Sequence, residues 1–261
     1  MPTVYDRLRE RARAIIATYD PPPFYTECRS ACSASRKLFE CDPLIARLRQ
    51  FVCRHVEEDF GHGRRHLTKV TLDAGALVRI EGGSAGYPPE LLERRMLLVQ
   101  CAGLLHDLKR KEKDHAQSGA RFARRLLAAY PLEETEIEEI GLAIRNHEAF
   151  KSPQRAATDS GKLLSDCLYD ADKFRWGPDN FADTVWEMVA YHKPSLEDFL
   201  NRYPKGMAGI ERIKPTFRTP TGRKYGPQFI DLGLAIGRDL LTVIETEYLP
   251  PSAQSNPTEK E

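Results

Sequence analysis

The run Leu97–Leu105 reads LLVQCAGLL and passes without a break into His106 and Asp107. A helix that is apolar on every side cannot lie at a surface and has to be wrapped by other elements. The chain must therefore supply amphipathic partners, and most of its 261 residues read that way. Val4–Tyr19 carries apolar residues near helical spacing among arginines, and Pro21–Pro23 stops it. Asp42 and Pro43 offer a capping aspartate followed by proline in a first turn. Leu44, Leu48, Phe51 and Val52 would share one face of the helix that follows. The pattern resumes through about Ile80, and EGGSAGYPP reads as a loop. Further helices are expected over Leu91–Asp107, His115–Ala129, Leu132–His147, Gly161–Asp172, Phe181–Tyr191, Leu196–Tyr203 and Pro227–Tyr248. Val/Ile alternation around hairpin turns is absent, so the expected fold class is all-α.

Two parts of the chain read differently. The first 41 residues, rich in cysteine, look like a helical extension ahead of a main domain over residues 42–250. Arg202–Lys224 holds Arg202, Lys205, Arg212, Lys214, Arg218, Arg223 and Lys224 against one acid, Glu211, and prolines and glycines interrupt it. It reads as a long basic loop, in the manner of a flap, before the last helix. The tail over residues 251–261 is polar and expected to be disordered. Cys28, Cys32, Cys41, Cys53, Cys101 and Cys167 form no CxxC pair, and their spacing matches no zinc or iron–sulfur pattern. Hydrophobic residues are 41% and charged residues 30%, as in a soluble globular chain. A net charge of +1 gives no electrostatic case for duplex nucleic acid or for a membrane. The opening MPTVYDRLRERARAII lacks the apolar stretch of a leader peptide, so the expected compartment is the cytoplasm.

Chemistry is expected from the histidines. His62 and His66 stand four apart and would share a helix face. His106 and Asp107 end the most apolar helix, His115 opens the next, His147 closes the one after, and Asp172 closes another. Each sits where a buried face meets solvent, as residues lining one cleft in a bundle would. Imidazole nitrogens mixed with carboxylate oxygens suit manganese, iron, cobalt, nickel or zinc better than calcium.

HxxKV at His66–Val70, LLHD at Leu104–Asp107 and YDADKF at Tyr169–Phe174 together resemble the H…HD…D signature of the HD-domain superfamily, over roughly residues 44–176. DHAQSGARFARRLL and AIRNHE resemble the segments that supply further histidines in that family, here His115 and His147. The resemblance implies an all-helical metal-dependent phosphohydrolase, either a phosphomonoesterase or a phosphodiesterase. His66, His106, Asp107 and Asp172 would hold one divalent transition metal. His115 and His147 would hold a second ion or contact phosphate, with Asp107 as the bridge if two ions bind. A metal-activated water would attack, with Asp107, His147 and Glu148 in catalytic roles, and Lys109 and Arg110 would bind substrate.

Two departures stand out. The family's HDIGK is HDLKR here, and its paired histidines are Asn146-His147. The expected substrate is a small phosphorylated molecule, with a nucleotide as one candidate, and homo-oligomerisation is left open. Two alternatives keep the fold: an oxygenase built on a di-iron centre, and a sensory module that binds a nucleotide without turnover.

Overall fold

In the computed structural model, residues 3–56 and 63–249 are described. His62 and the tail over 251–261 lie outside them. Among the described residues there are twelve α-helices and no strand, so the all-α expectation holds. The helices are α1 (Val4–Ile16), α2 (Phe24–Glu27), α3 (Arg29–Cys41), α4 (Pro43–His55), α5 (Arg64–Ser84), α6 (Pro89–Leu105), α7 (His115–Leu127), α8 (Glu134–Arg145), α9 (Asp159–Lys173), α10 (Val185–His192), α11 (Leu196–Glu211) and α12 (Pro220–Glu247).

The apolar run forms the C-terminal half of α6, and every residue from Met96 to Leu105 is buried. Its principal partner is α5, which also packs on α3 and α9, so α5 and α6 form the centre of the bundle. The first 41 residues join the same core: Leu8 and Ala12 of α1, Phe24 of α2, and Ala31, Leu38 and Phe39 of α3 are buried in it. The loop expected over EGGSAGYPP is shorter, since α5 continues to Ser84 and α6 starts at Pro89.

The basic loop expected over Arg202–Lys224 is mostly helix. α11 runs through Pro204 to Glu211, and α12 starts at Pro220. Proline inside a helix costs about 3 kcal/mol, and packing offsets it here. Tyr203 donates its hydroxyl hydrogen to the Gly237 carbonyl (2.7 Å), and Ile210, Ile213 and Phe217 are buried. Pro220 stands in the first turn of α12, where no N–H is needed. Three of the cations are engaged with the protein itself: Arg218 lies over the Tyr169 ring at 3.5 Å, Arg212 over Phe150 at 4.6 Å, and Lys214 pairs with Asp231.

Asp170 ties α9 to the start of α12. Its carboxylate accepts the backbone N–H groups of Arg218 (2.8 Å) and Thr219 (2.8 Å) and the Thr219 hydroxyl (2.7 Å). Thr219 in turn caps α12 by accepting the Gly222 N–H at 2.8 Å. A Cβ on Gly222 would stand 2.0 Å from Asp170 Oδ2, so the helix start is seated directly on the carboxylate. Replacing Asp170 with alanine leaves these buried donors unsatisfied. Urea unfolding of metal-free protein is expected to show a loss of about 3 kcal/mol. A loss under about 1 kcal/mol would show that α12 is held some other way.

Candidate metal centre

Six of the side chains singled out in the sequence come together at the ends of five helices. His66 is in the first turn of α5, His106 and Asp107 directly follow α6, His115 is the first residue of α7, His147 follows α8, and Asp172 is in the last turn of α9. His106, Asp107, His115, His147 and Asp172 are buried, and the imidazole of His66 is nearly so.

Helix ends leave carbonyls without intrahelical partners, and two of these carbonyls orient the cluster. Gly103 O accepts from His106 Nδ1 at 2.8 Å, and Ile144 O accepts from His147 Nδ1 at 2.6 Å. A carbonyl can only accept, so each ring carries a proton on Nδ1, and in the neutral ring Nε2 is the bare nitrogen that faces the cluster. His106 Nε2 stands 3.3 Å from His66 Nε2, 3.4 Å from Asp107 Oδ2 and 3.8 Å from Asp172 Oδ1. His66 Nε2 stands 3.7 Å from Asp107 Oδ2 and 3.4 Å from Asp172 Oδ1. Ligand atoms of His66, His106 and Asp172 all lie within 4.8 Å of one another, and so do those of His106, Asp107 and His147. Donors spaced like this can meet at an ion with bonds of roughly 2.0–2.3 Å, as imidazole and carboxylate do on zinc. Two carboxylates and imidazole nitrogens held this close in a buried place favour a cation between them. The buried cluster of histidines and aspartates therefore fits a metal ion.

The electrostatics follow from burial and charge. Burial holds the His66 imidazole below its ordinary range. Burial pulls His106 down as well, but Asp107 and Asp172 outweigh it and raise the ring. Burial pushes the Asp172 carboxyl up, yet Lys173, His66 and His106 hold it well below the usual range. Lys173 was not singled out in the sequence. It is 4% exposed, and its Nζ donates to Asp172 Oδ2 at 2.5 Å, leaving Oδ1 facing the histidines. The available signal was a lysine placed directly after an acid at the end of a buried helix, in DADKF.

The other expected residues are placed as follows. His147 Nε2 lies 3.3 Å from Asp107 Oδ1, is buried, and makes no hydrogen bond among the described residues. His115 Nε2 lies 3.7 Å from the same oxygen and 2.8 Å from Arg110 Nη1, and its Nδ1 is 3.7 Å from Glu148 Oε1. Burial lowers the His115 pKa to about 4, and Arg110 adds to the effect. Lys109 turns elsewhere, 3.4 Å from Glu112 and over the Phe122 ring. Asn146 is turned to structural partners, accepting the Gln154 N–H and donating to Gln154 O and Ser165 Oγ. A small opening beside His66 is lined by Lys69, Arg175, Asp179 and Asp183, and the first three also border a cavity of about 310 Å³.

No family model matches the sequence, and no curated protein does. A solved structure similar to this chain is described as a predicted HD superfamily hydrolase from an uncultured Thermotogales bacterium. It is 22% identical, the match covers 79% of this chain and 97% of that one, and the TM-score is 0.49.

The Lys173 contact yields a prediction about metal affinity. Methionine in its place keeps the apolar stem but removes the donor to Asp172. Groups that orient a ligand are worth about 10–100-fold in affinity. Titration of metal-free Lys173→Met with Mn²⁺ is expected to show a dissociation constant raised by that factor, with helical circular dichroism unchanged. An unchanged constant would mean that Asp172 is oriented without Lys173.

Proposed function

We propose that the chain is a metal-dependent phosphohydrolase of the HD type, acting on a phosphoester of a small molecule. The observation that carries this reading is the buried cluster of His66, His106, Asp107, His147 and Asp172 at helix ends, with Arg110 beside it. The donor set of nitrogen and oxygen suits manganese, iron, cobalt, nickel or zinc. When bound, such an ion offsets phosphate charge and brings the pKa of a coordinated water toward neutrality.

The remaining tasks fall to the chain's own groups. His147 holds a bare Nε2 next to Asp107, fixed by the Ile144 carbonyl, and this nitrogen can take a proton from a nucleophilic water. Glu148 faces the other nitrogen of His115 and is itself paired with Lys151 at 2.8 Å, so it tunes the edge of the site. Arg110 is exposed on the turn between α6 and α7, and its planar fork can grip two phosphate oxygens at once. Lys109 points to Glu112 and Phe122 and would reach phosphate only by leaving them. The cavity of about 310 Å³ beyond Lys69 and Arg175 is of a size to take the organic part of a small substrate. No described helix is long and apolar enough to cross a membrane.

The test pairs metal analysis with a panel of mono- and diesters, including p-nitrophenyl phosphate and bis-p-nitrophenyl phosphate. His106→Ala is expected to lose both metal and turnover. His147→Ala is expected to keep the ion and lose about 10²–10⁴-fold in kcat. Phosphatase activity undiminished in His106→Ala would refute the reading.

A further inference from the structure

The three imidazoles on the Asp107 side share one tautomer but not one destination. His106 and His147 donate from Nδ1 to backbone carbonyls, and His115 turns Nδ1 to the Glu148 carboxylate. The bare Nε2 of His106 faces His66 and Asp172, and that of His147 faces Asp107. The Nε2 of His115 faces Arg110 Nη1 at 2.8 Å. A guanidinium has donors and no lone pair, so at this contact the ring nitrogen must be the acceptor. An imidazole nitrogen has a single lone pair. While Arg110 holds it, His115 cannot also ligate an ion.

The other parts of a second ion site are present. Asp107 Oδ1, on the carboxylate whose Oδ2 faces His66 and His106, stands 3.3 Å from His147 Nε2 and 3.7 Å from His115 Nε2. Deepening the metal-centre reading above, on which it rests, we propose that Arg110 limits this centre to one ion by holding His115 out of ligation.

Charge acts in the same direction as geometry. On this side of the cluster Glu148 is paired with Lys151, and Arg110 brings a permanent positive charge to the rim. A second dication would have to displace a guanidinium that repels it, attracted by the shared Asp107 carboxylate and by a Glu148 carboxylate already paired with Lys151. The side chain at position 110 thereby sets the number of ions.

The experiment counts ions. Protein stripped of metal is titrated with Mn²⁺, and bound manganese per chain is measured by elemental analysis after desalting. Electron paramagnetic resonance reports whether two ions are coupled. Wild type is expected to hold one ion per chain with an uncoupled spectrum. Arg110→Ala is expected to hold two, with a coupled signal, and Arg110→Ala/His115→Ala to return to one. Arg110 is exposed, so its removal leaves the core intact. Two ions in wild type, one in Arg110→Ala, or two in the double variant would each overturn the proposal. No ion in wild type would overturn the metal centre itself, and this proposal with it.

Discussion

The crossing of α5 and α6 at Gly103 sets the geometry on which the cluster depends. A Cβ at this position would stand 2.8 Å from the Thr71 Cα, so the two helix backbones touch. Three residues later His106 caps the end of α6, and the carbonyl of the same Gly103 accepts that ring's Nδ1 proton. One residue thus fixes how close the helices come and which nitrogen the imidazole presents. With this spacing, His66 on α5 brings its Nε2 to 3.3 Å from that of His106. A larger residue at 103 would push the helices apart and with them the first two members of the cluster.

The same device recurs at the end of α8, where Ile144 O holds His147 as Gly103 O holds His106. Carbonyls at helix C-termini carry the negative end of the macrodipole, and α6, α8 and α9 all end at this cluster. These three ends favour a cation, against the N-termini of α5 and α7, which bring the positive end of their dipoles to the same cluster. The C-terminal ends are also where buried polar side chains find acceptors without interrupting a helix. Convergence at helix ends is therefore the arrangement that lets a charged site border an apolar core at low cost in unsatisfied groups.

Much of this was legible because it is local. Helical spacing located most elements, and His106-Asp107 after an apolar run marked a helix end facing something polar. What was not legible depends on distant partners. Pro204 and the glycines of Arg202–Lys224 read as breaks, but Tyr203 reaching Gly237 and the buried Ile210 hold α11 through them. Lys109 and Arg110 are equivalent as neighbouring cations in sequence. Only Phe122 and Glu112 on one side and His115 on the other tell them apart. Lys173 reads as an ordinary charge beside Asp172 until its burial is known.

The distance between His66 and Asp172 has a further support below the cluster. Arg175, buried just past α9, pairs with Asp73 on α5 and with Asp179, and Asp179 also takes Lys69 of α5. Burial pushes the Asp73 carboxyl up and Arg175 pulls it back, and the Tyr25 hydroxyl adds a hydrogen bond at 3.0 Å. A buried ion pair gains little net stability over an apolar substitute, yet removing one partner strands the other charge. Such a network resists sliding, because any shift between α5 and α9 breaks several charged contacts at once. His66 and Asp172 lie on those two helices, so this network helps keep their ligand atoms 3.4 Å apart.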